Sequence, residues 1–161
     1  MTNEAFTEAI IRMTPTLYRI ARGQLLIAAD QQDAVQEAIR RSWEKRGNLR
    51  NEDYLKTWVI RILLNACHDI QRRAKREYPV SEFPDKPSAA PESEDLRGAL
   101  LRLKEKYRSP ILLHYIEGYD VQRVAEILKI PAGTVKTRLS RGREQLRNIL
   151  NEEALEENET K

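Results

Sequence analysis

Apolar residues in the first 76 positions recur at intervals of three and four, which is the spacing of one face of an α-helix. This pattern predicts three helices. The first is opened by Thr14 and Pro15 as N-cap and first-turn residues, the second covers about residues 30–46, and the third about residues 52–76. The positions that carry the three inward faces are Leu17, Ile20, Ala21, Leu25, Val35, Ile39, Ser42, Trp43, Leu55, Trp58, Val59, Ile62, Ala66 and Ile70.

The helical pattern resumes in the C-terminal half of the chain. Residues 96–103 again place apolar side chains at helical spacing. Ser109 and Pro110 predict the N-cap and first turn of a further helix, and Gly118 predicts its end. No segment alternates apolar and polar residues as a half-buried strand would. The predicted fold class is therefore all-α, built as two small helical domains joined by a flexible linker.

Residues 120–150 predict a helix-turn-helix. Asp120 can cap a short helix over 121–129, and Pro131 ends that helix because proline disfavours a helical residue before it. A second helix follows, with an inward stripe that includes Gly142. A glycine on this stripe lets a neighbouring helix approach closely, although it costs about 1 kcal/mol of helix propensity against alanine.

The outward side of that second helix is basic and is suited to DNA. The residues on and beside it are Thr134, Lys136, Thr137, Arg138, Arg141, Arg143 and Gln145. Arginine can bind guanine through two hydrogen bonds, threonine can contact a thymine methyl group, and lysine mostly binds phosphate. The alternative is a surface amphipathic helix whose positive charge is incidental. Because the turn, the preceding helix and the basic face occur together, we favour nucleic-acid binding.

The composition divides the chain into four segments. Residues 1–77 and 95–150 are predicted to be folded domains. Residues 78–94 are rich in proline and acidic residues and are predicted to be a flexible linker. Residues 151–161 are too acidic and too poor in apolar side chains to pack well, so this tail is predicted to be disordered.

Charge and cysteine content narrow the function classes. Residues 1–78 hold 14 basic and 10 acidic residues, and residues 96–150 hold 12 and 5. Two basic segments favour two domains that bind the same polyanion. The alternative is that these charges lie on solvated helix faces and have no ligand. The single cysteine, Cys67, fits a reducing compartment. No apolar run is long enough to span a bilayer and the first ten residues show no secretory signal, so a cytoplasmic protein is expected.

Three motifs, in order, resemble the bacterial extracytoplasmic-function (ECF) sigma factors of RNA polymerase. DQQDAVQEAIRRSW at 30–43 is similar to the family's acidic D-x-x-D-x-V-Q-E helix with its later tryptophan. YLKTWVIRILLNACHDIQRR at 54–73 resembles its promoter-contacting helix, with the W-x-x-x-I, N-x-x-x-D and R-R elements. IPAGTVKTRLSRGREQLR at 130–147 resembles its second DNA-binding domain. The resemblance covers about residues 6–150.

The resemblance implies a protein that binds core RNA polymerase and directs it to promoters. The clamp helices of the largest polymerase subunit would be bound by Asp33, Gln36, Glu37 and Arg40. The downstream (minus-10) promoter element would be bound by Asn51, Trp58, Arg61, Asn65, Asp69, Arg72, Arg73 and Arg76. The upstream (minus-35) element would be bound by Thr134, Lys136, Thr137, Arg138, Arg141 and Arg143. The flap of the second-largest polymerase subunit and an anti-sigma factor are further implied partners.

Two positions have an alternative interpretation as core residues. Trp58 fits the apolar spacing of its helix, and Asn65, if buried, would need hydrogen-bond partners there. Among whole-protein alternatives, a free-standing helix-turn-helix regulator would bind DNA as a dimer, but it would need neither the acidic surface of 30–43 nor the basic end of 52–76.

Catalysis is not expected, and neither is a metal, a cofactor or a small-molecule substrate. His68 lies directly beside Cys67, and adjacent helical side chains diverge too far to share a metal ion.

Overall fold

The computed structural model describes residues 1–77 and 92–159. The chain divides into two compact units, an N-terminal unit that holds α1 to α3 and a C-terminal unit that holds most residues from α4 onward. Every regular element in the described ranges is helical. The predicted all-α class is thus confirmed for this part of the chain. The predicted linker lies outside the described residues except for residues 92–94, which are helical and not part of a linker.

Three helices pack pairwise in the N-terminal unit. They are α1 (Asn3–Gln24), α2 (Ala28–Glu44) and α3 (Leu55–Glu77), and the chain between α2 and α3 forms two 3₁₀ turns, Arg46–Asn48 and Glu52–Tyr54. The core comprises Phe6, Ile10, Leu17, Ile20, Ala34, Val35, Ala38, Val59, Ile60 and Leu63. The second and third predicted helices are confirmed to within a few residues. Trp43, expected on the inward face, is instead 40% exposed.

The predicted start of the first helix is wrong. Helix α1 begins eleven residues before Thr14, and Thr2 is its N-cap, since its Oγ1 accepts a hydrogen bond from Ala5 N at 3.1 Å. Pro15 lies inside α1, where it removes one backbone donor. The helix persists because core residues on both sides of the proline share one buried face. These residues are Phe6, Ile10, Met13 and Leu17.

Four helices follow in the C-terminal half of the chain, and all but the last three residues of α6 belong to the C-terminal unit. They are α4 (Glu92–Arg102), α5 (Glu105–Ile111), α6 (Val121–Leu128) and α7 (Ala132–Glu159), and a π-helical turn, Leu112–Ile116, extends α5. Helix α7 packs against α4 and α5. Gly118 follows the π-helical turn with a φ of +78°, which is the left-handed stop that the sequence predicts.

Ser109 and Pro110 do not open a helix, in contrast to the prediction. Helix α5 begins at Glu105, and Pro110 is buried within it. Ser109 is also buried, and its Oγ donates to Glu105 Oε1 at 3.2 Å. As at Pro15, burial of the flanking residues outweighs the backbone hydrogen bond that proline removes.

The acidic tail is not disordered over its described length. Helix α7 continues through residues 151–159, and Arg102 Nη1 lies 3.3 Å from Glu153 Oε1. Extending an existing helix needs no new nucleation, and glutamate, leucine and alanine have high helix propensity. Residues 160–161 lie outside the described residues.

Candidate nucleic-acid interface

The helix-turn-helix forms as predicted. Asp120 Oδ1 accepts a hydrogen bond from Arg123 N at 2.7 Å, which caps α6. Lys129 closes α6 in the left-handed conformation with a φ of 56°. Val135 and Leu139 are buried and anchor the inner face of α7. The outer face of the α7 N-terminal half is therefore fixed relative to the turn, as a DNA-contacting helix requires.

A groove beside the start of α7 collects four of the six predicted upstream-element residues. These four are Thr134, Thr137, Arg138 and Arg141. Lys136 is exposed but does not line this groove. Arg143 faces a different side of α7, because its Nη1 donates to the hydroxyl of Tyr115 at 2.8 Å. Four of the six predicted side chains therefore form one compact surface, and Lys136 and Arg143 lie outside it.

The opposite wall of the groove is formed by two residues that sequence reasoning missed, Lys106 and Tyr107 of α5. Burial raises the pKa of the Tyr107 hydroxyl, but the charge of Lys106 and hydrogen bonds from Lys106 and Arg141 outweigh it and hold the pKa below its ordinary value. No pattern within α5 marks these residues, because their proximity to α7 depends on tertiary packing.

The close packing of α5 on α7 depends on the absence of a side chain at Gly142. A Cβ at this position would lie 2.6 Å from Ile111 Cδ1 and 3.3 Å from Tyr107 Cβ. Both distances are shorter than ordinary van der Waals contact, so α5 approaches the backbone of α7 as closely as a glycine allows. The predicted close approach at Gly142 is confirmed.

The outer face of α3 carries the predicted downstream-element residues. Asn65 is exposed, so its alternative role as a core hydrogen bonder is excluded, while Trp58 is half-buried. Arg61 Nη2 donates to the hydroxyl of Tyr54 at 2.6 Å. Arg72, Arg73 and Arg76 are exposed toward the end of the helix, and Arg76 in its last turn also complements the helix dipole. Polar, aromatic and basic groups thus share this helix.

Two other downstream-element residues have local partners. Asn51 caps the second 3₁₀ turn, since its Oδ1 accepts from Asp53 N at 3.0 Å. Asp69 accepts a hydrogen bond from Arg41 Nη2 at 3.1 Å, which links α3 to α2. Each of these side chains therefore has a structural contact in addition to any contact with DNA.

The predicted polymerase surface on α2 contains an ion-pair network. Asp33 and Gln36 are exposed, whereas Glu37 is held by Arg40 and Arg41, each with a guanidinium Nε 2.9 Å from a carboxylate oxygen. Hydrogen bonds from Arg40 and Arg41 lower the pKa of Glu37 to about 2. The hydrogen bonds that Arg40 and Arg41 donate to Glu37 in turn raise the pKa values of both arginines.

Residues 1–77 and 92–159 contain no group of three histidine, cysteine, aspartate or glutamate side chains that could hold a metal ion. Cys67 is buried. In the same ranges, no helix has both the length and the apolar character needed to cross a membrane.

A helix-turn-helix with a basic outer face and a second helical unit with a basic, aromatic face are typical of a DNA-binding protein. Residues 10–77 match sigma-70 region 2, and residues 93–146 match sigma-70 region 4. The ECF RNA polymerase sigma factor SigM of Mycobacterium tuberculosis is 30% identical over 154 residues, which cover 91% of this chain and 77% of that protein. The ECF RNA polymerase sigma factor SigW of Bacillus subtilis is 29% identical, covering 91% of this chain and 89% of that one.

A solved structure agrees with these relatives. The sigma factor RpoE of Bartonella quintana, crystallised with the anti-sigma factor NepR, is 25% identical with a TM-score of 0.80, covering 92% of this chain and 98% of that one. The chain belongs to the ECF RNA polymerase sigma factors. It binds core RNA polymerase and directs it to promoters, and its family is not a family of enzymes. A free-standing dimeric regulator is not favoured, because both sigma-70 regions match in order.

Proposed function

We propose that the two units of this sigma factor contact different promoter elements through the faces described above. The groove at the start of α7 supports binding of the upstream element, because it brings Thr134, Thr137, Arg138 and Arg141 together directly after the turn. This observation carries the proposal. Arg138 discriminates bases, and exposed Lys136 binds backbone phosphate.

The N-terminal unit binds the downstream element through α3. Half-buried Trp58 and exposed Asn65 offer an aromatic surface and an amide to unstacked bases, while Arg72, Arg73 and Arg76 bind the strand backbone. The loop 47–53 contributes Asn51, which is already ordered by its cap. A surface of this composition favours a melted strand over an intact duplex.

Helix α2 supplies the main polymerase contact. Asp33, Gln36, Glu37 and Arg40 contact the clamp helices of the largest subunit, and the C-terminal unit contacts the flap of the second-largest subunit. The exposure of Asp33 and Gln36 supports this role. The protein acts in the bacterial cytoplasm without catalytic activity of its own. An anti-sigma factor is a further partner, as it is for the RpoE protein of Bartonella quintana.

Co-elution with bacterial core RNA polymerase on a sizing column tests the polymerase surface. The wild-type chain should co-elute stoichiometrically. Asp33→Arg should elute separately, because it reverses the charge of an exposed residue outside the ion-pair network of Glu37. Glu8→Arg makes the same change at an exposed position of α1 and should co-elute as the wild type does. Equal co-elution of both variants would contradict the assigned surface.

Selection of DNA duplexes from a random pool by the assembled holoenzyme tests the DNA surfaces. Arg138→Ala should broaden the selected upstream sequence, and each lost base contact is expected to relax discrimination by about 1–3 kcal/mol. Its co-elution with core polymerase should be unchanged. An unaltered upstream preference would count against Arg138 as a base contact.

A further inference from the structure

The groove beside α7 collects positive charge from two helices. Lys106 projects from α5, and Arg138 and Arg141 project from α7, so three cationic side chains line one concave surface. Lys106 and Arg141 are exposed, whereas Tyr107 between them is only 7% exposed. Like charges repel one another, so a cluster of three is stabilised by an anion that binds between them.

Tyr107 fixes the geometry of this cluster. Its ring is buried, and its Cβ lies 3.3 Å from where a Cβ of residue 142 would stand, so it is pressed against α7. The Nζ of Lys106 lies 5.0 Å from the centre of the same ring. The Tyr107 hydroxyl interacts with both Lys106 and Arg141. A rigid aromatic residue thereby links one cation of α5 to one cation of α7.

We propose that Lys106 and Arg141 bind one backbone phosphate of the promoter DNA, and that Tyr107 is the positioning residue that orients Arg141 toward it. The site rests on the proposed role of α7 in upstream-element binding and adds α5 to that interface. A phosphodiester fits because its two non-bridging oxygens can accept hydrogen bonds from a guanidinium fork and from an ammonium group at once.

The location favours a phosphate of bound DNA. The groove opens beside Thr134 and Thr137, on the side of α7 that faces the duplex in a helix-turn-helix complex. A phosphate held by two different helices would set the orientation of α7 in the major groove, which is the ordinary role of backbone contacts. Affinity should then depend on Lys106, while base preference should not.

Methylphosphonate substitution tests the site in the assembled holoenzyme. A duplex selected by the wild-type holoenzyme is remade with one uncharged methylphosphonate at each upstream position in turn. The wild-type holoenzyme should lose affinity at one particular phosphate. Lys106→Gln should bind the native duplex more weakly but lose the sensitivity at that phosphate, and its log–log salt slope should be shallower by about 0.9.

Lys104→Gln is the matched control, because Lys104 is an exposed lysine two residues away that does not line the groove. It should keep the wild-type methylphosphonate profile. Tyr107→Phe keeps the buried ring and removes only the hydroxyl. It should weaken the response at the same phosphate, and its effect should be non-additive with that of Arg141→Gln.

Three results would overturn the site. If the Lys106→Gln holoenzyme responds to methylphosphonate at each position as the wild type does, Lys106 is not a phosphate ligand. Additive effects of Tyr107→Phe and Arg141→Gln would exclude Tyr107 as the positioning residue. Stoichiometric binding of inorganic phosphate by the wild-type chain, lost in Lys106→Gln, would assign the groove to a free anion. A wild-type holoenzyme that forms but selects no duplex would instead overturn the proposed DNA-binding role, and this site with it.

Discussion

The guanidinium of Arg41 on α2 donates a hydrogen bond to the Asp69 carboxylate on α3 at 3.1 Å. The same guanidinium donates to Glu37 through Nε at 2.9 Å. One arginine therefore joins a carboxylate on the surface proposed for polymerase to a carboxylate on the helix proposed for the promoter. Both ion pairs are partly exposed, so solvent screens them and each contributes little to stability.

Asp69→Asn should lower the free energy of unfolding of the N-terminal unit by no more than about 1 kcal/mol, as expected for a partly exposed ion pair. Both tryptophans, Trp43 and Trp58, lie in this unit, so urea titration followed by tryptophan fluorescence reports its unfolding. A double-mutant cycle with Arg41→Gln should give a coupling energy of about 0.2–1 kcal/mol.

Arg12→Gln provides the control for that cycle, because Arg12 is an exposed arginine on α1. Its effect should add to that of Asp69→Asn. If promoter opening by Asp69→Asn falls far more than stability does, then Asp69 contacts the promoter in addition to Arg41. Zero coupling with Arg41 would contradict the contact itself.

The stability of the N-terminal unit should depend on pH through Glu37. The pKa of this carboxyl is about 2 in the folded protein, below its ordinary value of 4.5, because Arg40 and Arg41 donate hydrogen bonds to the charged form. A depressed folded pKa contributes stability that is present above pH 4.5 and is lost as the pH falls toward 2. Urea titrations at several pH values within this window measure the loss.

Glu37→Gln removes the titrating group and should flatten the pH dependence across that window. Glu8→Gln removes an exposed carboxylate from α1 and should leave the wild-type slope intact. If the unfolding free energy of Glu37→Gln depends on pH as that of the wild type does, other groups titrate in this window. The ion pairs of Glu37 would then contribute nothing to folding.

Gly142→Ala should destabilise the C-terminal unit. The new Cβ would lie 2.6 Å from Ile111 Cδ1, and overpacking of a core typically costs about 1–3 kcal/mol. Alanine recovers about 1 kcal/mol of helix propensity, so the net loss should be about 1 kcal/mol. Far-ultraviolet circular dichroism during urea titration measures it, while the tryptophan transition of the N-terminal unit should not move.

Ile111→Val removes the clashing Cδ1 and provides the internal test of this explanation. In that background, Gly142→Ala should be neutral or stabilising. Gly133→Ala is the matched control, because a Cβ there meets no atom within 4 Å. If Gly142→Ala is equally destabilising with and without Cδ1, then contact with Ile111 is not the cause.

Asn65→Asp should disfavour promoter opening, because it places a negative charge against the melted strand on the exposed face of α3. We expect a loss of at least about tenfold, equivalent to roughly 1.4 kcal/mol, in the equilibrium constant for the open complex. Permanganate reactivity of unpaired thymines measures opening directly. Asn151→Asp makes the same change at an exposed position near the end of α7 and should open the promoter normally. Equal opening by both variants would remove Asn65 from the downstream contact.

The sequence by itself determined those features that depend on neighbouring residues. Asp120 caps α6 and Gly118 ends the preceding turn, because each makes local hydrogen bonds or adopts a local backbone conformation that its residue type favours. The amphipathic spacing of α2 and α3 likewise predicted both helices and part of their buried faces, namely Val35, Ser42, Leu55, Val59 and Ala66. The family motifs lie within these same segments, so the function could be predicted along with the helices.

The helix starts predicted at Pro15 and Pro110 are wrong because tertiary packing outweighs the local preference of proline for the first turn of a helix. Pro15 and Pro110 both resemble first-turn residues in sequence, yet each lies inside a helix. Burial of the residues on both sides outweighs the loss of one backbone hydrogen bond, and that burial depends on neighbouring helices that a local pattern does not contain. The acidic tail is helical over residues 151–159 for a related reason, because α7 continues through it from an already packed helix.

Only the tertiary structure decided which side chains share a surface. It brings Lys106 and Tyr107 of α5 against Arg138 and Arg141 of α7, since Gly142 lets the two helices approach closely. It also turns Arg143 toward Tyr115 and away from the groove. Helical periodicity assigns a residue to one face of its own helix, but which other helix packs against that face depends on the complementary shapes of distant segments. The sequence therefore predicted most of the helices and the basic outer face of α7, whereas the groove formed by α5 and α7 depends on how these two helices pack.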